Sequence, residues 1–95
     1  MKNDIRDSLQ NGDVVYGARV RTFSTTTIQI LGETGVDYVY IDLEHAGFSP
    51  YNSTELEHRL MAAKQVDLEL VVRIPSCNPD MIRKVLDAGV RTVLI

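Results

Sequence analysis

The chain has a single cysteine, Cys77, so it can form no internal disulfide. No apolar run approaches the roughly 20 residues needed to span a bilayer. The N-terminus Met1-Lys2-Asn3-Asp4-Ile5-Arg6 lacks the apolar core of a signal peptide. The chain therefore reads as cytoplasmic. Positive charge is not concentrated anywhere: ten Lys and Arg are scattered against thirteen Asp and Glu, for a net charge of -3. That leaves no electrostatic footprint for nucleic acid or for an anionic membrane surface. GxGxxG, P-loop and GxSxG patterns are all missing, so dinucleotide binding, phosphoryl transfer and serine hydrolysis have no motif support. What remains is an ordinary globular composition, 44% hydrophobic and 24% charged over 95 residues, enough for one small domain.

The hydrophobic pattern alternates between two periods. Ile5 and Leu9, four residues apart and followed by Asn11-Gly12, suit a short helix that acts as a lid on one end of the domain. Val14 to Val20 reads as a first strand. Ser24 and Thr25 to Thr27 offer N-caps for a helix carrying Ile28 and Leu31 and stopped by Gly35. Val36 to Leu43 is a second strand, followed by a loop rich in turn formers (Gly47, Ser49, Pro50, Asn52, Ser53). Thr54 and Glu57 have capping-box spacing ahead of a helix with Leu56, Leu60 and Ala63 on one face. Leu70 to Ile74 is a third strand. Asn78-Pro79-Asp80 then places a cap, a Pro at the first helical position and an acid in the first turn of another helix, which carries Ile82, Val85 and Leu86 to Gly89. Val90 to Ile95 is a fourth strand.

Gly35-Val36-Asp37-Tyr38-Val39-Tyr40-Ile41 and Gly89-Val90-Arg91-Thr92-Val93-Leu94-Ile95 share Gly, Val, Val and Ile at the same offsets. Each is a helix-stopping Gly feeding a strand. Strand and helix alternating three times and ending on a strand implies a parallel sheet, so the fold class is α/β. About 25 residues per unit is the spacing of a (β/α)8 TIM barrel of about 250 residues. Four strands and three helices would be half of one. The expectation is that residues 1–95 form the N-terminal half of a single barrel domain, truncated after the fourth strand, because an open sheet ending on Thr92-Val93-Leu94-Ile95 leaves an unprotected apolar edge. The competing expectation is a small, complete α/β domain.

The chemistry-bearing residues cluster where strands end. Period-2 alternation puts Tyr38, Tyr40, Asp42 and Glu44 on one face of the second strand and Val39, Ile41 and Leu43 on the other. In a barrel, Asp42 and Glu44 would point inward near the C-terminal mouth with His45 on its rim, which suits acid/base chemistry or part of a metal site. The alternative is that the two carboxylates cap local backbone groups and His45 is a surface residue. Arg73, after two valines, can hold a carboxylate bidentately or neutralise an enolate oxygen. It can equally form a structural ion pair with Asp42 or Glu44, and the two roles are compatible. Arg19 either lines the mouth or is a solvated strand end. Cys77 reads as a plain small residue and His58 as solvent-facing.

Gly17, Thr34-Gly35-Val36-Asp37, Ile41-Asp42-x-Glu44-His45-Ala46, Val71-Val72-Arg73 and Leu86-Asp87-Ala88-Gly89 together resemble the N-terminal part of the HpcH/HpaI family of aldolases. The resemblance implies a (β/α)8 barrel, usually a homo-oligomer (a hexamer), that cleaves 4-hydroxy-2-oxo acids to pyruvate and an aldehyde. It also implies a divalent metal, Mg or Mn and in some cases Co, acting as a Lewis acid. By that resemblance His45 would be the acid/base group and Arg73 would steady the enolate. Asp42 would orient His45, and Glu44 would approach the metal through water. Asp87 would pair with the imidazole, reaching it only from a neighbouring subunit.

Two departures stand out. Family members often carry Trp two residues after the first-strand Gly, where this chain has Arg19, which changes the size and charge of the pocket. The family's metal-binding Glu and Asp come from later strands, so no metal ligand is expected in this chain and the 95 residues alone should be inactive. Two further readings are a CoA-ester lyase of the citrate or malyl-CoA lyase type and a non-catalytic half-barrel assembly module. The first would need a basic CoA-binding region, which is not evident.

Overall fold

In a computed structural model, residues 5–21, 24–43 and 53–95 are described. The order of elements is α1 (Ile5–Gln10), β1 (Gly17–Arg19), α2 (Thr25–Leu31), β2 (Tyr38–Asp42), α3 (Ser53–Gln65), β3 (Glu69–Arg73), α4 (Pro79–Asp87) and β4 (Thr92–Leu94). The four strands form one sheet in the order β1-β2-β3-β4, every pair parallel. Sequential parallel strands, each joined to the next through a helix, are the repeating unit of a (β/α)8 barrel, and the chain supplies four of its strands.

The register decides which side chains share a face. Gly17, Arg19, Tyr38, Tyr40, Asp42, Glu69, Val71, Arg73, Thr92 and Leu94 fall on one face, because directly paired residues in a parallel sheet point the same way. Val39, Ile41, Leu70, Val72 and Ile74 fall on the other, and all five are buried with Ile28 of α2, Leu56 and Ala63 of α3 and Val85 of α4. This is the packed core, where each such side chain contributes about 1.5–3 kcal/mol by leaving water. The face bearing Asp42 is the one the crossover helices do not cover, as the alternation predicts.

The two repeated joints share a mechanism. Gly35 and Gly89 both adopt positive φ, +89° and +109°, a region that costs a side chain strain and glycine little. The chain leaves each helix through that turn and enters a strand. At the first joint, Asp37 accepts a hydrogen bond through Oδ2 from the Tyr16 N–H at 2.9 Å, while the Tyr16 carbonyl accepts from Asp37 N at 2.7 Å. The Thr-Gly-x-Asp motif thus fastens the start of β2 to the residue ahead of β1.

Element boundaries differ from the sequence expectation in ways that follow from pairing. The first strand starts at Gly17, not Val14, because β2 begins opposite Gly17 and the chain before it turns at Gly35, leaving Val14 and Val15 nothing to pair with. The fourth starts at Thr92, since Val90 N–H still donates to Val85 of α4. α3 begins at Ser53, so Thr54 lies inside its first turn and is not the cap that its spacing to Glu57 suggested. Asn78 does cap α4: its side chain accepts from the N–H groups of Asp80 and Met81 at 2.9 and 3.4 Å. α1 sits at the N-terminal ends of the strands, where Ile5 and Leu9 help line a cavity with Gly17 and Tyr38, in keeping with a lid.

Candidate active site

β2 ends at Asp42 and β3 at Arg73, and the register sets the two side by side. Hydrogen bonding continues past both strands: Leu43 N–H donates to the Arg73 carbonyl at 2.9 Å, and Ile74 N–H to the Leu94 carbonyl at 3.1 Å. The backbone beneath the cluster is therefore fixed, which is what positions a functional side chain reproducibly.

A single carboxylate oxygen organises the side chains. Asp42 Oδ2 lies 3.3 Å from Arg19 Nη2 and 3.5 Å from Arg73 Nη1. The Asp42 side chain is 2% exposed, whereas those of Arg19 and Arg73 are 43% and 41% exposed. A charge removed this far from water needs compensation, and two guanidinium groups provide it. Their own exposure means that a ligand can reach them. The Arg19 guanidinium also lies over the Tyr40 ring, 5.9 Å from its centroid, a cation–π contact that holds it against the sheet.

Below this cluster the open face forms a cavity of about 610 Å³. Its wall runs from Ile5 and Leu9 past Gly17 and Tyr38 to Arg19, Tyr40, Val71 and Leu94. Gly17 is needed there for room: a Cβ at this position would run into the Tyr38 ring. Thr92 Oγ1 donates to the Glu69 carboxylate on the same face, tying β4 to β3.

Of the residues singled out in the sequence, Asp42, Arg73 and Arg19 come together. Glu44 and His45 lie outside the described residues. Asp87 is the last residue of α4, exposed and at the N-terminal edge of the sheet, since α4 carries the chain back to where β4 starts. It is therefore at the opposite end from Asp42 within one chain. His58 is exposed, as expected, and Cys77 is exposed as well.

Two residues were not singled out. Tyr40 was placed on the correct face but given no role, although an aromatic beside two arginines is a stacking surface for a guanidinium. Arg59 of α3 is 1% exposed and donates through Nη1 to the Glu55 carbonyl and carboxylate at 3.2 and 2.7 Å. Its signal was present: position 59 is three residues after Leu56 and four before Ala63, inside the apolar stripe, with an acid at i−4.

The divalent metal implied by the resemblance can be tested against these side chains. Among the described residues no three His, Cys, Asp or Glu side chains converge. Asp42 already faces two cations, a surrounding that repels a third. The described residues do not fit a metal centre.

Parallel strands in sequential order, helices on one face and an arginine-flanked carboxylate at the C-terminal strand ends define a barrel-type protein with a charged cluster at its mouth. A sequence model of the HpcH/HpaI aldolase/citrate lyase family matches residues 17–95, and the chain belongs to that family. It is 33% identical over 94 residues to a hydroxypyruvate/pyruvate aldolase of Paraburkholderia phytofirmans, covering 97% of this chain and 35% of that protein. It is 30% identical over 95 residues to a 2-keto-3-deoxy-L-rhamnonate aldolase of Salmonella gallinarum, covering 100% of this chain and 34% of that protein. The crystal structure of an HpcH/HpaI aldolase from Desulfitobacterium hafniense superimposes with a TM-score of 0.86 at 26% identity, over 99% of this chain and 36% of the other. The chain thus spans about a third of the length of the relatives it matches.

Proposed function

We propose that this chain supplies the acid/base and anion-binding half of a 2-oxo-acid aldolase, acting on 4-hydroxy-2-oxo acids to release pyruvate and an aldehyde. The observation that carries the reading is the Arg19–Asp42–Arg73 cluster on adjacent strand ends, in a chain whose relatives are named as aldolases. Residues 1–95 are then the N-terminal half of one barrel domain, with further strands completing it.

The chemistry assigned to the chain's own residues is a retro-aldol cleavage. His45 takes the proton of the 4-hydroxyl, the C3–C4 bond breaks, and the hydroxyl carbon leaves as an aldehyde. The electron pair of that bond moves into an enolate whose charge rests on the 2-oxo oxygen. Arg73 donates to that oxygen where charge develops, the kind of fixed donor that lowers a barrier most. Protonation of the enolate at C3 then gives pyruvate. Asp42 would hold both guanidinium groups and orient His45, three residues on. Glu44 would stand beside the metal, whose ligands would come from residues after Ile95. Asp87 would meet His45 only from a neighbouring subunit of a homo-oligomer.

The test is pyruvate release from a 4-hydroxy-2-oxo acid by the full-length protein, with and without a chelator. Release that the chelator abolishes and that Arg73→Lys strongly weakens supports the reading. No release under metal-replete conditions would overturn it. The family's second named activity, citrate lyase, would instead predict cleavage of a tertiary hydroxy acid, measured as oxaloacetate release from citrate or its thioester.

A further inference from the structure

We propose that Tyr40 is a positioning residue of this site: its ring seats the Arg19 guanidinium, and the seated guanidinium holds the Asp42 carboxylate in the orientation that turnover requires. This rests on the aldolase reading above and adds a residue to it.

The backbone comes first. Arg19 and Tyr40 are register partners on β1 and β2, and the Val20 N–H donates to the Tyr40 carbonyl at 2.8 Å. Their side chains therefore leave the same face from neighbouring, fixed points. On its other side Tyr40 is paired with Val71 of β3, which is buried. A ring flanked by two paired strands has few orientations open to it, whereas a free arginine side chain has many and loses them when it is held.

The contacts of Arg19 come next. Its Nη2 lies 3.3 Å from Asp42 Oδ2, longer than the roughly 2.7–2.9 Å of a strong charge-assisted hydrogen bond. With 43% of the side chain exposed, water competes for that bond. One such contact does not fix a long side chain. The second is the Tyr40 face: the guanidinium carbon lies 5.9 Å from the ring centroid, inside the roughly 6 Å reach of a cation–π attraction. An aliphatic residue would fill the same wall and offer the cation nothing.

The consequence falls on Asp42. Its side chain is 2% exposed, so when Arg19 leaves, the carboxylate cannot replace the lost bond with water. It turns instead toward the partners that stay, Arg73 at 3.5 Å among them. Under the aldolase reading Asp42 orients His45, and a small misplacement of an acid/base group costs rate more than binding. Tyr40 thus acts through Arg19 and Asp42 without touching the substrate.

The experiment measures pyruvate release from a 4-hydroxy-2-oxo acid by the full-length protein and its Tyr40→Leu, Tyr40→Phe, Arg19→Gln and Tyr40→Leu/Arg19→Gln variants. Tyr40→Leu should lower kcat by about tenfold with KM within about twofold, and Tyr40→Phe, which keeps the ring face, should retain most of kcat. In the Arg19→Gln background Tyr40→Leu should cost nothing further, because the pair acts as a unit. A second readout needs no activity: the Arg19 Nε–Hε resonance of 15N-labelled protein should lose its ring-current shift in Tyr40→Leu and keep it in Tyr40→Phe. Should Tyr40→Leu not fold, Tyr40→Met is read the same way. An equal loss of kcat from Tyr40→Leu in both backgrounds overturns the proposal, since Tyr40 would then be pocket wall alone, and so does an Arg19 resonance that Tyr40→Leu leaves unmoved. No pyruvate from the natural protein defeats the aldolase reading, and the resonance then decides by itself whether Tyr40 seats Arg19.

Discussion

The two faces of the sheet are built from the same strands and do opposite things. On the helix-covered face Val39, Ile41, Leu70, Val72 and Ile74 are buried against α2, α3 and α4. On the other, positions one residue away hold Tyr40, Asp42, Val71 and Arg73, and this face carries the arginine cluster and the cavity. Stability is concentrated on one side and ligand-facing charge on the other. Because the period is two, a substitution and its neighbour can test the two properties almost independently.

The largest expected effect is on the charged face. Arg73→Ala should lower kcat of the full-length protein by about 10²–10³-fold, the usual consequence of removing a fixed donor to a developing oxyanion. Urea unfolding of the same variant should shift only in part, since the buried Asp42 loses one of its two cations but keeps Arg19. A large shift in the unfolding midpoint would mean that Arg73 is chiefly structural, and the contrast between the faces would fail.

The mirror experiment is Ile41→Ala, one residue from Asp42 and pointing the other way. It should cost about 2–5 kcal/mol of stability, the range for truncating a packed aliphatic side chain, read by denaturant unfolding. Activity per folded molecule should hold. Gly17→Ala tests the open face for packing: the new methyl meets the Tyr38 ring, which must move, and the expected cost is about 1–3 kcal/mol. An unchanged unfolding curve would show that Tyr38 moves freely.

Arg59 gives the smallest expected change and the finest comparison, a charge buried among the helices instead of at the mouth. Glu55, its partner, is 37% exposed and can be rehydrated when the pair is broken. Arg59→Met should therefore stay within about 1.5 kcal/mol of the natural protein, by the same unfolding measurement, because shape is kept while the ion pair is lost. Arg59→Ala should lose more, through the cavity it leaves.

Much of this was legible before any coordinates. α2 and α4 were marked by a terminal glycine, whereas the cap read for α3, Thr54, lies inside its first turn; Gly35 and Gly89 announced two equivalent joints that both adopt positive φ. Alternation assigned Asp42 to the open face without reference to a neighbour. Strand ends were less legible, since Val14 and Val15 are as β-prone as Val39; whether a residue is in a strand depends on what lies beside it. Arg59 went unnoticed because a charged side chain counts as polar in a periodic pattern even when its position is inside the apolar stripe.

By itself, then, the sequence determined the class of the fold, the face each strand residue takes and the residue types at the mouth, because those follow from local periodicity and turn chemistry. Only the tertiary structure decided that Arg19 and Arg73, 54 positions apart in the chain, converge on one oxygen of Asp42. That depends on the register between three strands, which no local pattern encodes, and on the burial of a carboxylate that needs both cations around it.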